Sequence, residues 1–142
     1  MSKTAIIKAF IQGVQADVKD YQTLLKVMRS QHEWMTKRES QRLEAAAGKQ
    51  QQFLAKLTGR AEERSKMLEQ IGVSADATGV KRLIAALPSH VAEPLQASWN
   101  KLHRLVNECQ VQNERNGKLL TMQQSILTEL TQPASVQTYA PE

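Results

Sequence analysis

The residue types that most often do chemistry are few in this chain, and their spacing does not suit it. The three histidines, His32, His90 and His103, stand far apart, and none belongs to an HExxH-type pair that would set two ligands on one helical face. His32 falls on an apolar helical stripe, which marks a core or boundary histidine rather than a ligand. The single cysteine, Cys109, also falls on such a stripe, with no histidine or cationic run beside it. A cysteine in that setting acts as a small hydrophobe, not a nucleophile. The six glycines are isolated and none precedes a Lys-Ser or Lys-Thr pair, so a phosphate-cradling loop is missing. Neither catalysis nor a metal or cofactor is expected.

The unusual chemistry is polar and lies in Gln112-Asn113-Glu114-Arg115-Asn116-Gly117-Lys118-Leu119-Leu120. Asn113 and Asn116 fall on consecutive stripe positions, and Gly117 follows. In isolation Asn-Gly suggests a hairpin turn. Here the seven-residue repeat passes through without a change of phase, which predicts a continuous helix. Two readings stay open. Polar seam residues select one pairing register at a cost in stability. Equally, they form a contact point for a partner chain, with Gly117 letting a backbone come close. Beyond them Leu119, Met122 and Ile126 lie outside the strict seam of Leu120, Leu127 and Leu130, so the apolar face broadens. Such a face with methionine suits a second helix laid into a groove, unless the short third helix covers it.

The elements that position these residues are long helices. Ile7, Ile11, Val14, Val18, Tyr21, Leu25, Met28, His32 and Met35 alternate in steps of four and three, a coiled-coil-like seam over about Lys3 to Met35. A helix of roughly 30 residues is about 45 Å long, so its partner must be long as well. A break is expected at Thr36–Glu39, where Thr36 and Glu39 have capping-box spacing and the seam changes phase. A second helix, about Lys37 to Ile71, carries Leu43, Ala47, Gln50, Leu54, Leu57, Ala61, Arg64, Leu68 and Ile71, weakened by Gly48 and Gly59. Gly72 fits a left-handed cap, with Val73 folding back onto the last turn. After a loop over Ser74–Thr78, Val80, Leu83, Ile84 and Leu87 mark a short helix that ends before Pro88. The last helix begins near Ser89 or at Pro94 and runs to about Thr131 through Leu95, Trp99, Leu102, Val106, Cys109, Asn113, Asn116, Leu120, Gln123, Leu127 and Leu130.

The expected fold is therefore all-α: an elongated antiparallel hairpin or bundle of three long helices plus one short one. Residues 1–131 form one domain, and 132–142 read as a flexible tail with two prolines and no periodicity. Composition agrees, being 41% hydrophobic but only 4% aromatic, which implies an aliphatic core. The formal net charge of +5 is spread among acidic residues without a long like-charge run, so it reads as a solvated helical surface. A nucleic-acid-binding regulator or a structural, homo-oligomeric coiled coil remain the alternatives to a protein that grips a partner. With one cysteine, no leader-like N-terminus and no stretch of eighteen apolar residues, a cytoplasmic protein without membrane insertion is expected.

The segment Asn113-Glu114-Arg115-Asn116-Gly117-Lys118-Leu119-Leu120, late in a long helix with Trp99 upstream, resembles the signature of the FlgN family of flagellar export chaperones. Tyr21, Leu24 and Leu25 in the first helix and Lys49 and Arg64 in the second extend the resemblance over most of the chain. It implies a small type III export chaperone that holds the C-terminal helical region of the hook-filament junction proteins FlgK and FlgL, largely through its own last helix. On this chain the implied cargo contacts are Asn113, Asn116, Gly117, Leu119, Leu120, Met122, Ile126 and Leu127. Such chaperones bring cargo to the export gate protein FlhA through a tail tyrosine, which would be Tyr139. The glycine often found after that tyrosine is replaced here by Ala140-Pro141. No nucleic acid is implied, and a weak homodimer is compatible with the seams.

Overall fold

The computed structural model describes residues 2–131, and the side chains of residues 2–123. Four helices follow one another: α1 (Lys3–Lys37), α2 (Ser40–Ile71), α3 (Ala77–Ala86) and α4 (Ser89–Thr131). There is no strand among the described residues. The all-α expectation holds, and the long helices pack lengthwise on one another.

α1 starts cleanly because the Ser2 hydroxyl accepts the Ala5 N–H at 3.2 Å, satisfying one of the free donors of the first turn. It ends at Arg38, which adopts a left-handed conformation (φ 55°) and returns its N–H to the Met35 carbonyl. The break is thus where the phase change put it, but its mechanism differs from a capping box. The Thr36 hydroxyl donates back to the His32 carbonyl inside α1, and α2 opens on Glu39 without a side-chain cap. Gly72 (φ 99°) closes α2 as expected, and the Val73 N–H reaches the Leu68 carbonyl.

The Asp76 carboxylate caps α3 by accepting the Gly79 N–H at 2.9 Å and the Ser74 hydroxyl at 2.7 Å. The hydroxyl and then the amide hold this carboxyl below its ordinary value. Leu87 is extended before Pro88, and α4 begins at Ser89 with Pro94 inside it.

α1 is the central helix. Phe10, Asp17, Leu24 and Gln31, each seven apart and all buried, include the residues that meet α2: Asp17 pairs with Arg60 and Arg64, and Gln31 bonds Gln50. These pairings run in opposite directions along the two helices, so α1 and α2 form an antiparallel hairpin. Tyr21, Met28, His32 and Met35 face α4 instead. Cys109 contacts the Tyr21 carbonyl, Asn116 the Met28 carbonyl and Gln123 the Met35 carbonyl, at a constant offset of 88 residues. A constant offset means α4 runs parallel to α1, with α2 and α3 as the return. The single seam read for α1 was its α4 side. The second track was missed because two of its members are polar.

The apolar core is graded. Ile6, Phe10, Val14, Leu68, Ile71, Val80, Leu83, Ile84, Leu95 and Leu102 form one cluster at the α3 end. Leu24, Leu25, Met28, Leu57, Leu105 and Cys109 form a second one midway. Trp99 ties the helices together near the first: its ring lies 6.4 Å from that of Phe10 and under the Arg64 guanidinium at 5.8 Å. Towards the hairpin turn the contacts become polar.

Candidate functional site

The distal half of α4 carries most of the residues singled out in the sequence. The helix is continuous through Asn116-Gly117, so the hairpin-turn reading is excluded. The seam, however, takes a different set of positions. Leu102, Leu105, Cys109, Gln112 and Asn116 are buried, with Leu119 and Gln123 half-buried. The heptad spacing puts Val106, Asn113 and Leu120 in the seam; in the structure Val106 is half-buried and the other two are exposed. The shared positions 102, 109, 116 and 123 are right, but their partners sit three residues on, not four. The reason is chemical ambiguity. Leu105 and Val106 are both apolar and Gln112 and Asn113 both polar, so hydropathy cannot choose between them. The same slip occurs in α2, where Ala46 and Phe53 face inward rather than Ala47 and Leu54.

Asn116 is only 7% exposed, and both ends of its amide are hydrogen-bonded. Its Nδ2 donates to the Met28 carbonyl at 2.9 Å. That fixes the oxygen, which accepts from Gln112 Nε2 at 3.0 Å and from His32 Nδ1 at 3.1 Å. This is the register-setting reading of the asparagine: the group can be satisfied only in one alignment of α4 on α1. Asn113 points to solvent. His32 is a boundary histidine with a structural hydrogen bond, as its place on the stripe suggested.

The other named residues divide clearly. Gly117 is exposed, with open space where a Cβ would stand. Leu119 is half-buried, whereas Leu120 is 45% and Met122 60% exposed. The short helix does not cover them, because α3 packs among Ile6, Phe10 and Leu95 at the opposite end. Ile126 and Leu127 lie within α4, but their side chains are outside the described residues, as is Tyr139 altogether. Val111, 48% exposed, extends the apolar exposure in the other direction and was not singled out in the sequence.

Cys109 is buried, as its stripe position implied. Burial, and then the Glu108 carboxylate, push its thiol up from 9.0 to about 11. At pH 8 the native thiol should react with iodoacetamide at least about tenfold more slowly than in the urea-unfolded chain. Equal rates would show that this part of α4 is not closed on α1. Burial, followed by the Asp17 carboxylate, likewise raises the Tyr21 phenol above 10.0.

Sequence reasoning also missed the network opposite this site. Asp17 is buried between Arg60 and Arg64, and Arg60 also reaches Asp20. An acidic residue seven positions from Phe10 on one side and Leu24 on the other was the available signal.

Among the described residues no group of three or more His, Cys, Asp or Glu is close enough to hold a metal ion. Nor is any helix there long and apolar enough to cross a membrane. Fold and site together define an all-helical scaffold whose last helix presents uncovered apolar side chains. The family model for FlgN protein matches residues 1–140, and the chain belongs to that family of flagellar export chaperones, which is not a family of enzymes. Neither a curated protein nor a solved structure matches it.

Proposed function

We propose that this chaperone acts in the cytoplasm and holds the C-terminal helical region of hook-filament junction proteins of the FlgK and FlgL type. It keeps them from premature assembly and delivers them to an FlhA-like export gate. The observation that carries the reading is the exposure of Leu120 and Met122 where α4's own contacts to α1 are polar. Unassembled junction-protein termini are amphipathic helices, and cargo helices packed along the flanks of α4, beside Leu120 on one side of its seam and Met122 on the other, would bury apolar faces without any cofactor.

In this reading Asn113, Gly117, Leu119, Leu120, Met122, Ile126 and Leu127 contact cargo. Asn116 contributes by holding α4 in register, since its amide is already engaged with α1. Tyr139 is the proposed gate contact.

Co-purification with a junction-protein C-terminal fragment tests it. A Leu120→Ala, Met122→Ala double variant should weaken cargo binding by about tenfold or more with an unchanged circular dichroism spectrum. Unchanged affinity would remove these residues from the cargo site, and no binding by the parent chain would remove the reading itself.

A further inference from the structure

A different face of the molecule has the chemistry of a second docking site. Between α1 and α2, near the hairpin turn, runs a groove of about 380 Å³ whose walls include Lys26, Val27 and Trp34 from α1 and Arg42, Ala45 and Lys49 from α2. It lies away from α4. On α1 the α2-facing residues Leu24 and Gln31 separate Val27 and Trp34 from the α4-facing Met28 and His32. Val27 and Trp34 are half-buried and form an apolar floor, while Lys26, Arg42 and Lys49 are exposed on its rims. No carboxylate lines it.

The segment that forms both walls is basic, although Arg29 within it is turned to Glu108 of α4. Residues 26–49 hold six lysines and arginines against three glutamates, a net +3 of the chain's +5. Glu33 and Glu39 are turned to Lys37 and Arg42. Lys26 and Lys49 make no ion pair among the described residues.

The groove also repeats. Val27 and Trp34 are seven residues apart, and so are Arg42 and Lys49. A heptad spacing of floor and rim, about 10 Å per repeat, matches the side chains of a helix lying in the trough between two antiparallel helices. A phosphate chain would use the cations but leave Val27, Trp34 and Ala45 uncovered.

We infer that this α1–α2 groove docks an acidic amphipathic helix of about three turns. The partner's apolar seam covers Val27 and Trp34, and its flanking carboxylates meet Lys26, Arg42 and Lys49. The site is separate from the cargo-holding face of α4, so the chaperone can engage two helices at once.

Two synthetic peptides of about 14 residues test this on the full chain: both carry leucines at heptad spacing, one flanked by glutamates and the other by glutamines. Trp34 emission is the readout, with Trp34→Phe as its control. The glutamate peptide should bind about tenfold more tightly than the glutamine peptide and lose that advantage in high salt. A Lys26→Glu, Arg42→Glu, Lys49→Glu variant should lose about as much, and the Lys→Gln, Arg→Gln version serves if charge reversal disturbs folding. The Leu120→Ala, Met122→Ala variant should bind the peptide normally, which separates this result from the cargo reading. Equal binding of both peptides, or binding that survives the charge changes, overturns the inference. A single-stranded oligonucleotide of about 12 nucleotides that binds more tightly and displaces the peptide would reassign the groove to nucleic acid.

Discussion

Replacing Asp17 with alanine should cost about 3 kcal/mol of folding stability, read as a lower urea midpoint at unchanged m-value. Asp17 is 1% exposed, so its charge has left water almost completely. Two guanidinium groups compensate: Arg64 Nη1 donates to Oδ2 at 2.7 Å, and Arg60 Nε stands 2.8 Å from Oδ1. The second contact is an ion pair without hydrogen-bond alignment, so Coulomb attraction carries it. Alanine would leave both arginines in place. Arg60 would keep Asp20, while Arg64 would keep only the face of Trp99. Both arginines are partly exposed, which places the expected cost at the lower end for breaking a buried pair.

The converse experiment separates charge from packing. Asp17→Leu combined with Arg64→Leu should be near neutral or stabilising, because Arg60 keeps Asp20 and no uncompensated charge remains. A single Asp17→Ala variant within about 0.5 kcal/mol of the parent would mean that the network contributes nothing to the hairpin.

The second large effect is expected at Gly79. A Cβ built there would stand 1.6 Å from the Ser74 carbonyl oxygen and 2.6 Å from its carbon. Both are backbone atoms, so no side-chain rotation can relieve the clash. Ser74 is itself anchored, since its hydroxyl donates to the Asp76 carboxylate that caps the Gly79 N–H. Gly79→Ala must therefore push α3 off the loop that starts it, dragging Val80, Leu83 and Ile84 from the core. A loss of about 3 kcal/mol is expected from overpacking of this kind.

The control is the same substitution elsewhere. Gly13, Gly48, Gly59 and Gly117 are helical with nothing within 4 Å of the added carbon, so alanine there should stabilise by up to about 1 kcal/mol each. Thermal melts of the five variants would show one sign against four. A Gly79→Ala melt at or above the parent's would contradict the close approach.

These two sites show what pattern reading can and cannot reach. Gly79 carries no local signal: it is one glycine in Asp-Ala-Thr-Gly-Val, and only the path of Ser74 makes it indispensable. Asp17 had a signal, a lone acid on an otherwise apolar seven-residue track, but the track itself becomes visible only once α1 is known to have two neighbours. At Asn116 the sequence left register control and partner contact level, and the amide's three hydrogen bonds decided for register.

What the sequence determined by itself was periodicity and punctuation. Four helices, their approximate ends, the left-handed cap at Gly72, the break before Ser40 and a continuous helix through Asn116-Gly117 follow from local forces: steric limits on backbone angles, capping, and the spacing of apolar side chains. Family membership was legible too, because the Asn-x-x-Asn-Gly segment survives any uncertainty about what it touches. Tertiary structure alone decided which neighbour each residue meets. A seven-residue repeat fixes a stripe only to within one position, and Leu105 against Val106 or Gln112 against Asn113 are indistinguishable by hydropathy. The parallel course of α1 and α4, the burial of Asp17 and Asn116, and the exposure of Leu120 and Met122 are set by α2 and α4 sharing the surface of one central helix. That sharing belongs to the packed molecule and to no single segment of it.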